Sequence, residues 1–243
     1  MLRQLRPDRA LCVLLVCSLL ASAQEVALTA RVALVDGGKK NQPRQAGNVV
    51  LWLTPQGEST PTAWQATDPQ HRPRLIQKNK SFSPHILVVP VGSVVEFPNE
   101  DQFFHNVFSL FDGKRFDLGL YEAGTTRDVR FDKPGISYIF CNIHAEMSAV
   151  VIALNTPYYG ISDAQGQLII SHVPVGRYAL HIWYEAALPE MLNRMTREIV
   201  VSENNSTLGL LRLPAVSTPP SHKNKYGQDY PPPAPDSSTY QHP

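Results

Sequence analysis

Residues 141–147 read Cys-Asn-Ile-His-Ala-Glu-Met, so one tight turn of chain offers a thiol at Cys141, an imidazole at His144 and a thioether at Met147. A second imidazole, His105, lies in the run Asn-Glu-Asp-Gln-Phe-Phe-His-Asn-Val of residues 99–107. Two imidazoles, one thiolate and one weak thioether are the donors of a blue-copper site. Soft sulfur favours Cu(I), imidazole suits both oxidation states, and a trigonal set with a long axial bond is tolerable to both. Zinc also accepts Cys and His, but its structural sites take four strong ligands and rarely use Met. Each residue alone has a plain structural explanation: a satisfied His, a packed Met, an inert buried thiol. Jointly, in this order and at this spacing, they predict one copper ion held by His105, Cys141, His144 and Met147.

The elements that must position these donors are short and β-type. Residues 136–141 form a strand entered by Pro134-Gly135 and leading straight into the donor loop, and residues 148–154 form the strand that leaves it. Further strands are expected at 32–35, 48–54, 86–91, 94–97, 167–171, 177–184, 198–202 and 208–213, with His105 between strands. Turn residues such as Asp36-Gly37-Gly38 and Pro174-Val175-Gly176 separate them. Many short strands at regular spacing predict an all-β sandwich. Only residues 185–196 have helical character, weakened by Pro189, and residues 55–73 read as a polar linker.

Residues 73–155 resemble a small cupredoxin domain of the plastocyanin and amicyanin family. The resemblance is carried by Phe82-Ser83-Pro84, by residues 91–99 (Val-Gly-Ser-Val-Val-Glu-Phe-Pro-Asn), by His105-Asn106-Val107 and by residues 135–147. The C-x-x-H-x-x-M spacing is closer to amicyanin than to plastocyanin, with Ala145 where amicyanin has Pro. The resemblance implies a Greek-key cupredoxin β-sandwich or barrel and one type 1 copper on the four donors named above. It also implies that Asn106 ties the two ligand loops together by hydrogen bonds, with Asn142 in the same supporting layer. His144 would be the electron exit, within an apolar patch to which Ala145, Phe103 and Phe104 are assigned.

A second resemblance covers the flanks. Residues 162–168 and 173–180, with 27–35 and 48–54, resemble a carboxypeptidase-regulatory-like, transthyretin-like sandwich. The expected organisation is a signal peptide at 1–23, first sandwich strands and linker at 24–72, the cupredoxin domain at 73–155, the remaining sandwich strands at 156–216, and a disordered Pro-rich tail at 217–243. The copper domain is thus expected as an insertion between the second and third strands of the other sandwich.

Composition bounds the partners. Arg3, Arg6 and Arg9, an apolar run over residues 10–20 and Ala21-Ser22-Ala23 read as a cleavable export signal, which places the protein in the periplasm or outside the cell. Removing residues 1–23 leaves 19 Lys+Arg against 20 Asp+Glu, so no basic excess exists to hold nucleic acid, and no apolar run spans a membrane. Of the three cysteines, Cys12 and Cys17 leave with the signal, and a lone exported Cys141 calls for a metal, a nucleophile or an intermolecular disulfide. The expected role is one-electron transfer between a redox donor and acceptor. The alternative is copper storage, delivery or sensing through a more open site. No second metal site or catalytic triad is visible, so the protein is expected not to be an enzyme. The oligomeric state is left open.

Overall fold

The computed structural model describes residues 24–35, 44–57, 72–110, 113–214 and 222–231, and the structural statements below concern those residues. The export signal lies outside them. The chain is all-β with one short helix, α1 (Pro189–Met195). Pro189 opens this helix rather than breaking it, because at the first position the missing N–H has no partner to lose.

The strands in chain order are β1 (Glu25–Val35), β2 (Arg44–Gln45), β3 (Val50–Pro55), β4 (Ile76–Lys78), β5 (Ser81–Ser83), β6 (Ile86–Pro90), β7 (Val94–Pro98), β8 (His105–Ser109) and β9 (Phe116–Tyr121). They continue with β10 (Thr126–Arg130), β11 (Gly135–Cys141), β12 (Ser148–Leu154), β13 (Tyr159–Ile161), β14 (Gln167–Pro174), β15 (Gly176–Trp183), β16 (Arg197–Val201) and β17 (Thr207–Pro214).

Strands from the middle of the chain build one layered body. A five-stranded sheet runs β6-β12-β11-β8-β9, with β6 parallel to β12 and the other pairs antiparallel. The facing side carries β7 with β10 and β4 with β5, joined by bridges from Arg74 to Glu96 and from Gln77 to Asn99. Leu75, Phe97 and Phe131 from one side meet Val107, Ile139, Cys141 and Val151 from the other in a common core. Because successive strand residues point to opposite faces, Ser137, Ile139 and Cys141 share one face of β11, while Ile136, Tyr138 and Phe140 share the other.

The flanking strands form two four-stranded sheets, β14-β1-β17 with β2 beside β1, and β13-β3-β15-β16. Val49 precedes β3, which pairs with β13 and β15 and with no strand of the middle body. Leu28, Val32 and Ile170 of the first sheet and Leu51, Leu53 and Leu180 of the second are all buried in one cluster. The same cluster takes in Ile86, Val150, Ile152 and Leu154, with Ile136 and Tyr138 packed against it. The outward face of β12 is therefore covered by the flanking sheets, and from Ala149 to Leu154 this strand is buried on both faces.

Residues 222–231 correct the expectation of a wholly disordered tail. They have no regular structure beyond a turn, yet they lie against β11 and the loop that follows it. The expectation rested on a lack of aliphatic residues. Here aromatic stacking and hydrogen bonds to backbone take the place of aliphatic burial.

Candidate metal centre

β11 ends at Cys141, and residues 142–147 turn back into β12. The turn is held by two backbone bonds, Met147 N–H to the His144 carbonyl at 3.1 Å and Cys141 N–H to the Met147 carbonyl at 3.3 Å. The neighbouring strand β8 begins at His105 rather than leaving it in a connecting loop, and pairs Val107 with Cys141. The register thus places His105 at the same end of the sheet as the donor loop.

His105, Cys141 and His144 converge, with one ligand atom from each within 4.8 Å of the others. Both imidazole Nδ1 atoms stand 3.6 Å from the Cys141 Sγ. With Nε2–H turned to Asp101, His105 Nδ1 can accept the thiol proton, while His144 Nδ1 can donate to the sulfur or, as the other tautomer, offer a lone pair beside it. Metal bonds of about 2.0 Å to nitrogen and about 2.3 Å to sulfur, meeting at a trigonal angle, separate N and S by roughly 3.7 Å. The donor set and its spacing therefore fit a small first-row ion. Met147 is fully buried in the core cluster that contains Cys141. Cys141 and His105 are fully buried, whereas His144 is half-exposed.

The surroundings fix the donors in place. His105 Nε2–H donates to the Asp101 carboxylate at 2.9 Å, which directs the lone pair of Nδ1 toward the sulfur. Asp101 also accepts the N–H groups of Asn79 at 2.6 Å and Lys80 at 3.1 Å. Burial pushes this carboxyl up, but His105 and the two N–H groups outweigh it and hold it below the usual carboxylate range. Burial lowers the pKa of both imidazoles, against the pull of Asp101 on His105 and with the help of His105 on His144. Both rings are then neutral and ready to bind a metal. Burial also pushes the Cys141 thiol up, against the pull of the Asn106, Ile143 and His144 N–H groups.

Asn142 N–H donates to the Asn106 carbonyl at 2.8 Å, joining the loop to β8 through backbone. The Asn106 side chain turns elsewhere and donates to Asp117 at 2.6 Å. The Asn142 side-chain oxygen accepts Lys225 N–H at 3.0 Å. Phe103 packs on both imidazoles, with ring centroids 5.3 Å from His105 and 5.4 Å from His144. Phe104 is half-buried and Ala145 exposed.

Sequence reasoning missed Asp101, although it lies in the same run as His105, because nothing marks a loop carboxylate as buried. It also missed His222, Lys225 and Tyr230, which were assigned to the tail. His181 is half-buried and stacks on Trp52 at 5.0 Å. His85 is half-buried and bonded to Ser148 and Glu185, while His172 pairs with Glu25. His71 and His242 lie outside the described residues.

An all-β chain with a converging His-Cys-His group at one end of a layered sheet is the class that fold and site define. No family model and no curated protein matches the sequence. Similar solved structures are cupredoxins and a related copper enzyme. A purple cupredoxin from Nitrosopumilus maritimus matches at 23% identity and TM-score 0.31, over 34% of this chain and 99% of its own. Amicyanin from Paracoccus versutus matches at 17% identity and TM-score 0.33, over 38% of this chain and 96% of its own. A copper-containing nitrite reductase from Thermus scotoductus matches at 24% identity and TM-score 0.35, over 42% of this chain and 26% of its own. At these scores the likenesses carry no argument about function, which must come from the site. The expectation that the protein is not an enzyme is corrected to this extent: the matched structures include a copper-containing nitrite reductase.

Proposed function

We propose that this chain is a type 1 copper protein that carries one electron at a time between redox partners in the periplasm or outside the cell. The observation that carries the reading is the pair of imidazole nitrogens 3.6 Å from one buried sulfur. His105, Cys141, His144 and Met147 would hold the ion, two imidazoles and two soft sulfurs making a donor set that suits both Cu(I) and Cu(II). When bound, copper supplies a reversible one-electron couple. The protein's part is to hold the donors so that little moves on electron arrival or departure. Asp101 fixes His105, the backbone bond between Asn142 and Asn106 fixes the loop, and Phe103 keeps water from the ring faces. Half-exposed His144, packed by Phe103 and followed in the chain by exposed Ala145, is the proposed point of electron exit, and half-buried Phe104, next to Phe103 in the chain, is a further candidate for the patch. A small patch of this kind suits a brief encounter. Burial of His105, Cys141 and Met147 favours this reading over storage or delivery, which would use the same donors in a more open site.

We further read residues 73–155 as the copper unit, inserted into a second sandwich built from 24–72 and 156–216 that resembles the carboxypeptidase-regulatory kind. The pairing of β3 with β13 and β15 supports that division.

The test is reconstitution of the exported form with copper, followed by visible and EPR spectra. An intense colour that bleaches on reduction and returns on oxidation without loss of metal is expected. Cys141→Ser is expected to lose the colour entirely. A colourless copper adduct in the unmutated protein would remove the proposal.

A further inference from the structure

The short stretch 222–231 makes its contacts with the sheets almost wholly at the donor loop and its supports. Tyr230 Oη donates to the Cys141 carbonyl at 2.8 Å. Lys225 N–H donates to Asn142 Oδ1 at 3.0 Å. His222 Nε2–H donates to the Ala145 carbonyl at 2.6 Å. The His222 ring lies flat on Phe140, with centroids 4.0 Å apart and planes 20° from parallel, and meets the Tyr230 ring in a T-shaped contact at 5.2 Å. Lys225 Nζ reaches Asp117 at 2.8 Å, and Asp117 in turn accepts Asn106, the residue after His105. The donor loop is therefore touched directly, and the His105 strand through Asp117, by one piece of chain 77 to 108 residues away in sequence.

We propose that residues 222–231 are a clasp that positions the donor loop and slows release of the metal, with His222 and Tyr230 as its positioning residues. This rests on the copper reading of the site. The loop between β11 and β12 has its residues 142–146 half-buried or exposed, and it links Cys141, His144 and Met147, so its opening would release three donors together. Its outward carbonyls at 141 and 145 are bonded by the clasp, so opening the loop requires breaking these bonds along with the backbone turn. Phe140 shows the same dependence. It is the last outward residue of β11, beyond the reach of the flanking sheets that cover Ile136 and Tyr138, and the His222 ring covers it.

Four proteins test the proposal: the full chain, a chain ending at residue 221, the full chain with Tyr230→Phe and His222→Ala, and the full chain with Tyr230→Phe and His222→Phe. Two quantities are read for each. One is the rate at which a Cu(I) chelator removes copper. The other is amide hydrogen exchange over residues 141–147 in the metal-free protein. Copper removal should quicken roughly tenfold or more in the truncated chain, the weight of about one net hydrogen bond. Loop exchange should rise in the truncated chain and in the chain with His222→Ala while exchange in β3 and β15 stays unchanged. His222→Phe, which keeps the stack on Phe140, should restore part of the loss when set in place of His222→Ala. Equal removal rates with equal loop exchange would overturn the clasp, as would exchange rising evenly across the whole protein. A full chain that takes up no copper would defeat the copper reading, and the exchange comparison would still decide whether the loop is clasped.

Discussion

Asp101 shows how much of a metal centre depends on a residue that is not a donor. Its carboxylate takes three hydrogen bonds, from His105 Nε2 and from the N–H groups of Asn79 and Lys80. An amide in its place offers one oxygen and one NH2 group, so at least one of the three donors loses its partner or meets another donor. Asp101→Asn should therefore weaken copper affinity about 10- to 100-fold, the usual loss when a carboxylate behind a ligand His is removed. Competition with a chelator of known affinity measures this, and an unchanged affinity would show that backbone alone orients His105. Sequence reading found the four candidate donors because their types are rare in combination and their spacing is short. It could not find Asp101, since a carboxylate in a polar loop usually faces water, and only the fold shows this one turned inward.

β12 makes the corresponding point for whole elements. Its sequence, Ser-Ala-Val-Val-Ile-Ala-Leu, announces a strand but lacks alternation, and the structure supplies the reason: Val151 faces the core of the middle body while Val150 and Ile152 face the flanking sheets. Ile152→Ala should cost about 2–5 kcal/mol of unfolding free energy, read from urea denaturation, because the cavity opens between two packed layers. The colour of the copper-loaded variant should survive, since this side chain points away from the donors; a bleached site would mean that the two faces of β12 are mechanically coupled. Other strands were less legible. β10, Thr-Arg-Asp-Val-Arg, buries only Val129, so it carries no hydrophobic period to read. β9 contains Gly119 and exposes Leu120, and β8 follows a run of polar residues that looks like loop. The docked stretch 222–231 was illegible for a different reason: its order depends on a partner surface that exists only once β11 and the donor loop have formed.

At the scale of the molecule, the middle body and the flanking sheets are joined by packing around β12 and by a partly exposed pair, His85 and Glu185. His85, just before β6, places Nε2 2.6 Å from the Glu185 carboxylate and Nδ1 3.2 Å from the Ser148 carbonyl. Both partners only accept, so the two contacts are satisfied together only when both ring nitrogens carry a proton, which favours the charged ring. The Glu185 bond accordingly raises the His85 pKa above its ordinary value of 6.5, with burial opposing it. A group whose pKa is raised on folding stabilises the fold fully below the unfolded value, and this contribution fades as pH climbs through the folded value. Glu185→Gln removes the attraction for the charged ring while leaving an amide able to bond the neutral one. The gap in melting temperature between wild type and Glu185→Gln, measured on metal-free protein to keep ligand titration out of the comparison, should be widest near pH 6 and close toward about pH 9. Partial exposure of both side chains screens the pair, so the gap should also shrink in high salt. A gap that stays constant across this range would mean that His85 is neutral in the folded protein and that apolar packing around Ile152 and Val150 alone holds the two bodies together.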